Sequence, residues 1–541
     1  MAWKLYAGRW IALNDRNEVI GTGDTSHATL AMARALRPKE RFRLAWVTPL
    51  PPYVAWPEWL KERVLPHLSA DRVWLVGGVV RDMVLGRPHH DWDFVVAGGA
   101  CALARALADQ LGGVYFPLDE ERDIARVVVR GLEPSPITLD WAALRGADLT
   151  GDLALRDFTI NAMALGLDGT FYDPWGGLAD LQAGMVRRVS ARSLVDDPLR
   201  MLRAVRIAGE LHFTVDEETA LQIRQLADQI RLPAVERVTE ELLRIFRARP
   251  FTRSVDSLQA LGLLAPLLPE LMALETVTQS APHYQPTVGQ HVRAALTAWE
   301  ALLTWLEGGV STPPVDVPAA HWNALERTLA PYQPALLAYL REVLGSTITR
   351  ADAITWGVLF HDVGKALTRS VDAAGRVHFY GHAEQGAELT RQRLAALRFP
   401  LEVQAWVAAL VAHHMDLISF SRKTLTRRAI YRFFRSLEGA GIGVLLLALA
   451  DTLGVMGPRL TAAYWQERLE VAQLLCEAYF ARAPELVQPV PLLNGHDLVA
   501  LGLSPGPRIG ALLAALREAQ AAGEITTREE AEAYVRAHLV E

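Results

Sequence analysis

Two short apolar runs, separated by a glycine pair and an Asp-x-Asp sequence, make residues 73–96 the most constraining segment of this chain. The first run ends at Gly77-Gly78, and two glycines directly after a strand let backbone N–H groups approach an anion closely. Asp91 and Asp93 open the second run, and residues two apart on an extended segment project to the same side. Paired carboxylates at this spacing suit two Mg²⁺ ions that hold a nucleoside triphosphate and an attacking hydroxyl together. The alternative is an ordinary turn followed by two solvated aspartates.

Two later segments carry charged residues in apolar surroundings: residues 151–164 read GDLALRDFTINAMA, and residues 196–206 read DDPLRMLRAVR. Together with GGVVRD and DWD in the first segment, they resemble the GGxVRD, DxD, RRDFTINAMA and EDxxR signatures of the class II tRNA nucleotidyltransferases and bacterial poly(A) polymerases. This family belongs to the polymerase-β-like nucleotidyltransferases. Leu155 replaces the first arginine of one signature and Asp196 replaces the glutamate of another, so only the matching residues carry over.

The resemblance implies a role for each matching residue. Asp91 and Asp93 would bind Mg²⁺ and carry catalysis, while Arg156 and Asp157 would handle the nucleotide ribose. The nucleotide-binding residues implied by the resemblance are Gly77, Gly78, Arg81, Asp82, Arg156, Asp157, Asn161, Asp197, Arg200, Arg203 and Arg206. For the charged members, the alternative is a surface ion pair worth under about 1 kcal/mol.

Asp197 and Arg200 are the expected base-recognition pair. Pro198 suits the first turn of a helix, so these two residues, three apart, are predicted to lie on one face of that helix. A carboxylate acceptor beside a guanidinium donor imitates a Watson–Crick edge, which would let protein rather than a template select the incoming base. An ordinary salt bridge is the alternative.

The segments between these blocks predict a mixed α/β head, with a helix over 100–112 and strands at 114–116, 124–130 and 137–141. Asp140 lies in the last strand, where polymerase-β-like enzymes often carry a third metal-binding carboxylate. It is therefore a candidate catalytic residue, with a solvated strand-end aspartate as the alternative. Arg126 is expected either to bind the triphosphate or to lie on an outward strand face.

A second group of metal-binding residue types lies between residues 291 and 451. It consists of His291, His361-Asp362 after an apolar run, and Asp451 on a later apolar helix, with His382, His413 and His414 in between. The set resembles the H…HD…D ligands of an HD domain, which bind a divalent metal for phosphoester hydrolysis. Imidazole with carboxylate suits Mn²⁺, Ni²⁺ or Co²⁺. A degenerate domain whose histidines only form hydrogen bonds is the alternative.

At 541 residues the chain exceeds what one hydrophobic core usually supports. We predict an α+β protein: a polymerase-β-like head with a mixed sheet and helices, followed by all-helical neck, HD and tail domains, and preceded by a small N-terminal ββαβ unit. The expected divisions are the ββαβ unit at 1–48, a linker and lead-in helix at 49–70, the head at 71–185, the neck at 186–275, the HD domain at 276–460 with an insertion near 302–350, and a tRNA-contacting tail at 461–541.

The amino-acid composition limits the cellular compartment and the classes of partner that we expect for this protein. Cys101 and Cys476 are the only cysteines, which excludes a disulfide framework and a Cys-rich zinc site and suits a reducing cytoplasm. No run of 18 uncharged apolar residues occurs, so no membrane partner is expected. The net charge of −6 argues against a broad nucleic-acid-coating surface.

Three segments are each predicted either to contact RNA or to have a purely structural role. Arginine clusters at 187–206 and 422–435 are either cationic tracks for RNA or solvated helix faces. The segment at 504–507, SPGP, either presents helix N–H groups to an RNA phosphate or is a capped turn.

The expected activity is template-independent addition of nucleotides from CTP and ATP to the 3′ end of tRNA, either the CCA sequence or part of it. Mg²⁺ would serve the head, and Mn²⁺, Ni²⁺ or Co²⁺ the HD site. A poly(A) polymerase, or an enzyme that adds only CC or only A, shares all these signatures. A phosphohydrolase whose head merely binds nucleotide and a noncatalytic RNA-binding protein are alternatives of other classes, and the intact Asp91 and Asp93 count against both.

Overall fold

The computed structural model describes residues 9–14, 19–23, 25–38, 40, 42–47, 56–89, 91–130, 136–280, 283–310 and 312–538. The chain divides into two compact units between Pro233 and Ala234. The first part of the linker and lead-in helix predicted at 49–70, residues 49–55, lies outside the described residues.

A three-stranded antiparallel sheet begins the first unit. Its strands, in spatial order β2-β1-β3, are β1 (Arg9–Leu13), β2 (Val19–Gly23) and β3 (Arg43–Val47). Helix α1 (Ser26–Leu36) packs on β1 and β2, and the Thr25 side chain caps it by accepting the Ala28 N–H. The elements follow one another in the ββαβ order that the sequence predicts.

A seven-stranded mixed sheet forms the centre of the first unit, in the spatial order β10-β9-β4-β5-β8-β7-β6. Its strands are β4 (Val73–Val76), β5 (Asp91–Val96), β6 (Val114–Asp119), β7 (Ile124–Val129), β8 (Ile137–Ala143), β9 (Ala164–Gly166) and β10 (Phe171–Tyr172). The β5–β8 pair is parallel, and every other neighbouring pair is antiparallel. This parallel pairing aligns Asp93 of β5 with Asp140 of β8.

Apolar side chains of the sheet hold two of the sequence signatures together. Val76 and Val95, from β4 and β5, form one buried cluster with Leu153 and Ala162 of the segment at 151–164. Burying such side chains stabilises by roughly 1.5–3 kcal/mol each. The sheet therefore fixes the second signature against the strands that carry the first.

Short helices cover and extend this sheet. They are α2 (Glu58–Arg63), α3 (Gly78–Val84), α4 (Ala100–Leu111), α5 (Leu149–Ala154), α6 (Gly177–Ala183), α7 (Ser193–Asp196), α8 (Arg200–Leu211) and α9 (Glu217–Leu226). A parallel pair of two-residue strands, β11 (Met185–Val186) and β12 (Thr214–Val215), adds a second small sheet.

The second unit is almost entirely helical. Its helices are α10 (Val235–Ile245), α11 (Phe251–Ala260), α12 (Leu264–Leu267), α13 (Pro269–Leu274), α14 (Val288–Leu306), α15 (Ala319–Leu329), α16 (Gln333–Arg341), α17 (Arg350–Phe360), α18 (Lys365–Thr368), α19 (His382–Ala396), α20 (Leu401–His413), α21 (Arg427–Ser436), α22 (Gly441–Met456), α23 (Ala462–Cys476), α24 (Ala483–Leu486), α25 (Gly495–Ala500), α26 (Pro507–Ala522) and α27 (Arg528–Ala537). Two small hairpins accompany them, β13 (Val343–Gly345) with β14 (Ile348–Thr349), and β15 (Ser370–Val371) with β16 (Val377–His378).

Helices α14 and α22 cross at close range in this unit. A Cβ at Gly454 of α22 would lie 2.7 Å from the backbone nitrogen of Ala295 on α14, so glycine allows the two backbones to approach. His291 lies one turn before Ala295 on α14, and Asp451 lies one turn before Gly454 on α22. The crossing therefore brings these two side chains together.

The segment Gly441–Arg459 is the single stretch, within the described ranges, that is long and apolar enough to cross a membrane. In the protein 78% of its most apolar window is buried. Such burial is that of a core helix, and Asp451 near its middle faces His291 and His361.

The last three helices have a core of their own. Leu498 of α25, Leu516 of α26 and Val535 of α27 belong to one buried cluster. The succession of a mixed sheet and a long helical region confirms the predicted α+β class.

Candidate active site and metal centre

Asp91 and Asp93 begin strand β5 and lie on the same side of it, as their spacing predicts. Burial raises the pKa of Asp93 to about 6, and the carboxylates of Asp140 and Asp91 add to this shift. Arg156 and Arg126 oppose it. A divalent cation beside these carboxylates would offset the raised pKa of Asp93, so this set of oxygen donors fits Mg²⁺.

Arg126 occupies both oxygens of Asp140. Its Nε donates to Oδ1 at 2.7 Å and its Nη2 donates to Oδ2 at 2.8 Å, which is the bidentate geometry of a strong ion pair. The pairing follows from the antiparallel β7–β8 register, which sets the two residues opposite each other. Asp140 is thus next to the Asp93 carboxylate but already neutralised, and its role as a third metal ligand stays a prediction.

Gly77 forms the turn between β4 and α3 with a φ of 83°. Its N–H donates to the Met163 carbonyl at 3.3 Å, and phosphate binding at this turn stays a prediction. A Cβ at Gly77 would lie 2.9 Å from Nη1 of Arg156 and 3.7 Å from Oδ2 of Asp93. The glycine therefore makes room for a guanidinium beside the Asp93 carboxylate.

Asp152 holds that guanidinium in place. Arg156 donates from Nε and Nη2 to Oδ2 of Asp152 at 3.2 and 3.0 Å, and Arg145 donates to Oδ1 from Nε at 3.3 Å. Asp152 is completely buried. The sequence analysis missed this residue, although an acidic residue four positions before Arg156 on an apolar segment is a usable signal.

A chain of hydrogen bonds joins the three sequence signatures. Arg81 donates to Asp82 at 2.9 and 3.0 Å and, from Nη1, to Asn161 Oδ1 at 2.9 Å. Asn161 donates to Asp157 Oδ1 at 3.0 Å. Arg203 completes the chain by donating to Asp157 Oδ2 at 2.8 and 2.6 Å. These hydrogen bonds hold the residues in position against one another, and direct nucleotide contact by them stays a prediction.

The charge of Asp157 is stabilised despite complete burial. Burial alone would raise its pKa, but Arg203, the Asn161 amide and the Phe158 N–H lower the pKa to about 2. The carboxylate is therefore ionised at neutral pH and holds the ends of the second and third signatures together.

The prediction that Asp197 and Arg200 share one helix face is wrong. Helix α7 ends at Asp196, Asp197 has an extended backbone with φ −145° and ψ 100°, and α8 begins only at Arg200. Pro198 and Leu199 form a turn between them, and the Asp197 carboxylate accepts the Leu199 N–H at 3.1 Å. Proline ended one helix and began a turn here, instead of opening a single helix that includes both residues.

Arg200 still reaches the second signature. It donates to the Leu155 carbonyl at 2.8 Å and to the Ser193 carbonyl at 3.0 Å, and burial lowers its pKa. Arg206, the last arginine of the third signature, donates to Glu210 at 3.0 Å one turn along α8. Arg200 thus adjoins the active-site segment, whereas Arg206 pairs within its own helix.

A second centre lies in the helical unit, where His291, His361, Asp362 and Asp451 converge. His291 Nε2 lies 2.9 Å from His361 Nε2, 2.9 Å from Asp451 Oδ1 and 3.4 Å from Asp362 Oδ2. All four residues are buried, and Asp362 Oδ2 and Asp451 Oδ1 accept no hydrogen bond of good geometry from the described residues. Buried imidazole and carboxylate atoms that converge at these distances fit a divalent transition metal.

The charges of this centre also fit a cation. Burial disfavours protonated His361, but Asp362 and Asp451 raise its pKa to about 10. Although burial opposes ionisation of Asp362, Lys365 and His361 hold its pKa well below the usual value. The carboxylates thus keep positive charge on the neighbouring groups, and a bound metal would displace such protons.

Comparisons with known proteins agree with this arrangement. A poly A polymerase head domain model matches residues 73–187, a model of the probable RNA and SrmB-binding site of polymerase A matches 212–274, and an HD domain model matches 335–455. The A-adding tRNA nucleotidyltransferase of Deinococcus radiodurans is 35% identical over 469 residues, which are 85% of this chain and 94% of that protein. The chain belongs to the tRNA nucleotidyltransferase family.

The relatives of this nucleotidyltransferase are named for different reactions. The CC-adding tRNA nucleotidyltransferase of Thermus thermophilus is 34% identical over 477 residues, 87% of this chain and 94% of that protein. A solved Thermotoga maritima CCA-adding enzyme in complex with tRNA has a TM-score of 0.55 at 20% identity and covers 90% of this chain and 97% of that one. The family resemblance drawn from the sequence is confirmed, and the structural likeness shows a shared fold.

Three residues that were not predicted as ligands adjoin the candidate metal centre of the nucleotidyltransferase. Lys365 Nζ lies 2.7 Å from Asp362 Oδ2 and 3.2 Å from His283 Nε2. His382 and His414 lie on the other side of Asp362. A lysine three residues after Asp362, on the same helical turn, was a signal available in the sequence.

The two arginine clusters, predicted to be either cationic tracks for RNA or solvated helix faces, contain arginines that are ion-paired within the protein. Arg187 bonds to Asp180 and Asp216, and in the second cluster Arg432 bonds to Glu518 at 2.5 Å. These contacts favour a structural role for both arginines, and contact of either cluster with RNA stays a prediction.

We predict that Asp157→Asn lowers the free energy of unfolding of the first unit by about 2 kcal/mol at neutral pH, because a charge-assisted bond to Arg203 becomes neutral. The folded-state pKa of about 2 lies below the unfolded value, so the stabilisation is present above about pH 4 and is lost as the pH falls toward 2. Urea unfolding at several pH values measures both effects.

Asp196→Asn is the matched control, because it makes the same change in the exposed ion pair with Arg192. It should change the unfolding free energy by under about 0.5 kcal/mol. Equal losses in the two variants would contradict the role given to Asp157.

Proposed function

We propose that this nucleotidyltransferase adds cytidylate and adenylate residues, without a template, to the 3′ end of tRNA, using CTP and ATP. The observation that carries the proposal is the Asp91–Asp93 pair at the start of β5, with Arg156 beside it, inside the segment that matches the polymerase head. The A-adding and CC-adding names of the relatives support tRNA as the acceptor. We expect the reaction in the cytoplasm.

In this proposal Asp91 and Asp93 hold Mg²⁺, which when bound activates the terminal hydroxyl and neutralises triphosphate charge. The tRNA 3′ oxygen forms a bond to the α-phosphorus and its proton passes to water. The bond between the α-phosphorus and the oxygen that bridges to the β-phosphate breaks, and pyrophosphate leaves with that oxygen. Arg156 offers a guanidinium to the anionic nucleotide, and Asp152 limits its motion. Gly78 and Arg81 then shape the turn on which the phosphates would rest.

Base selection is assigned to Asp197 and Arg200. Arg200 donates to a backbone carbonyl of the second signature, and Asp197 directly precedes the turn that leads to Arg200. Because the two are not fixed on one helix, they would present a hydrogen-bonding edge to a base only when the turn at 197–199 and the segment at 155–156 hold them together. This makes selection sensitive to the local backbone as well as to the two side chains.

The remaining alternatives differ in which nucleotides the enzyme adds. Full CCA addition, CC-only addition, A-only addition and poly(A) synthesis all use these residues. Incubating the protein with tRNA that ends at the discriminator base, with CTP and ATP separately and together, and sequencing the 3′ ends distinguishes them. Failure to extend any tRNA under these conditions would contradict the proposed function.

We predict that Asp91→Ala or Asp93→Ala abolishes nucleotide addition, lowering turnover by at least about a thousandfold, because the metal ions lose their carboxylates. Folding and tRNA binding should be retained. Single-turnover addition to a labelled tRNA measures the effect.

Asp109→Ala, on the exposed side of α4, removes a carboxylate of the same unit and serves as the control. It should keep the activity of the unmodified protein. Near-normal turnover by either Asp91→Ala or Asp93→Ala would exclude this pair as the metal site.

We predict that Arg200→Ala reduces the preference for CTP or ATP over the other triphosphates by roughly tenfold or more, as expected when charged hydrogen bonds of about 1.5–3 kcal/mol are lost. Arg192→Ala removes an exposed arginine from the same region and should leave the preference unchanged. Competition assays with all four triphosphates give the ratio. Slower turnover with an unchanged preference would make Arg200 a positioning residue of the segment at 155–156.

A second activity, metal-dependent phosphoester hydrolysis, is favoured by the buried cluster in the helical unit. We predict that the double change His361→Ala, Asp362→Ala removes Mn²⁺-, Ni²⁺- or Co²⁺-dependent hydrolysis of a phosphoester such as a 2′,3′-cyclic phosphate, while CTP and ATP incorporation continues. The physical reason is that imidazole ligands favour transition metals, whereas the oxygen-only head prefers Mg²⁺. Absence of hydrolysis by the unmodified protein with any of these metals would reduce the centre to a scaffold.

A further inference from the structure

We infer that the open part of the central sheet beside Asp91 and Asp93 binds the unpaired 3′ end of the tRNA, and that Phe116 of the edge strand β6 stacks on one of its bases. This inference rests on the proposed nucleotide addition and deepens it, because it states where the nucleotides that precede the reactive 3′ hydroxyl lie. Val114 of β6 and Val128 of β7 form the apolar part of the same surface.

The strand registers place Phe116 in one row with the candidate metal-binding carboxylates. Asp93 of β5 is aligned with Asp140 of β8, and Asp140 is aligned with Arg126 of β7. Arg126 in turn is aligned with Phe116 of β6. Side chains of directly aligned residues on neighbouring strands project to the same face of a sheet, and the ion pair of Arg126 with Asp140 shows this for the middle of the row. Phe116 therefore projects from the same face as Asp93.

Helix α4 packs on the opposite face of the sheet, against β6, β7 and β8. Tyr115 projects to that side, and its ring centre lies 4.7 Å from the guanidinium carbon of Arg105 on α4. Because successive residues of a strand alternate between the two faces, Val114 and Phe116 lie on the side away from α4. Val114 is 49% exposed and Phe116 is 45% exposed. The face that carries Asp93 is thus open to a ligand where it reaches β6.

The same face is closed on the other side of Asp93. Val95 lies two residues after Asp93 on β5 and belongs to one buried cluster with Leu153 of α5. Further members of this cluster come from β4 and β9, so apolar side chains fill the face in that direction. Toward β6, by contrast, Val128 is only half-buried and Phe116 is exposed. A strand of RNA that ends at the carboxylates is therefore directed over β8 and β7 to β6.

The distances fit a single-stranded 3′ end. The reactive hydroxyl must lie at Asp91 and Asp93, so the nucleotides that precede it lie next to these carboxylates. Strand β6 is the third strand from β5, and at about 4.8 Å per strand the separation is about 14 Å. At about 3.4 Å per stacked nucleotide this corresponds to about four nucleotides, and to fewer in a more extended strand. An exposed aromatic ring stacks on any base, so Phe116 meets a base about two to four positions from the 3′ end.

Tyr172 provides a matched control. It lies on β10, the opposite edge strand, which is also the third strand from β5. Its side chain is 37% exposed, which is close to the exposure of Phe116. Strands β9 and β4, which contribute to the buried cluster, separate it from Asp93. The two edges thus present similar aromatic rings, and of the two rings Phe116 is the one that adjoins the open face.

Affinity for RNA tests this inference without relying on turnover. A labelled acceptor-stem hairpin whose unpaired 3′ end consists of the discriminator base and CC is titrated with the full chain, and its fluorescence anisotropy is measured. Phe116→Ala should weaken binding by roughly tenfold, which is the loss expected for one stack of a base on an aromatic ring. Phe116→Leu should bind as weakly as Phe116→Ala, because it keeps apolar surface but lacks the ring. Phe116→Trp and Tyr172→Ala should bind as tightly as the unmodified protein.

Removal of single bases from the hairpin locates the contact. An abasic nucleotide at one of the two unpaired positions before the 3′ terminal nucleotide should weaken binding by the unmodified protein as much as Phe116→Ala does. At that position Phe116→Ala should add no further loss, because the two changes remove the same interaction. In extension of tRNA, Phe116→Ala should raise the KM for tRNA roughly tenfold and leave kcat and the KM for CTP or ATP unchanged.

Thermal unfolding shows whether each variant is folded. Equal affinity of folded Phe116→Ala and the unmodified protein for the hairpin would overturn the inference, and extension of tRNA by the unmodified protein would still support the proposed function. A raised KM for CTP or ATP with an unchanged KM for tRNA would assign the surface to the triphosphate and overturn the inference. So would a dimer in light scattering that Phe116→Ala converts to a monomer, since β6 would then bind a second copy of this chain. Binding of the hairpin through Phe116 without extension of any tRNA would refute the proposed function and retain the surface.

Discussion

The hydrogen-bond chain from Arg81 through Asn161 and Asp157 to Arg203 is the interaction on which the head depends. Its members come from three signatures spread over more than a hundred residues, and each member donates a hydrogen bond to the next or accepts one from it. A buried carboxylate without its arginine would cost several kcal/mol, so the chain is stable only when all of its members are present. This mutual requirement holds the turn after β4, the segment at 151–164 and helix α8 in one arrangement.

The two candidate metal sites use different physics. In the head, Asp91 and Asp93 lie at the start of one strand, and their oxygen atoms are hard donors that suit a hard cation such as Mg²⁺. The neighbouring Asp140 is already paired with Arg126. In the helical unit, buried imidazoles converge from separate helices, and their orientation is set by backbone carbonyls. Because each centre is built within its own unit from its own ligand type, metal preference can separate the two activities.

Local patterns predicted much of this arrangement. The same-side placement of Asp91 and Asp93, the mixed sheet, the helical second unit and the convergence of His291, His361, Asp362 and Asp451 all followed from short-range periodicity or from family signatures. The error arose where the local backbone decided the outcome. Asp197 has an extended backbone because α7 ends at Asp196, and α8 begins only at Arg200, so the two residues do not share a helix.

The sequence by itself determined the ligand chemistry, since residue types and spacings are properties of the chain: oxygen donors on one strand, and imidazole with carboxylate among the helices. Tertiary structure alone decided which charges meet. The parallel β5–β8 register set Asp140 beside Asp93, Asp152 captured Arg156, and the helix packing around Asp362 directed His382 and His414 to one of its oxygens. Such partners are distant in the chain, and only the requirement that buried polar groups find partners selects among them.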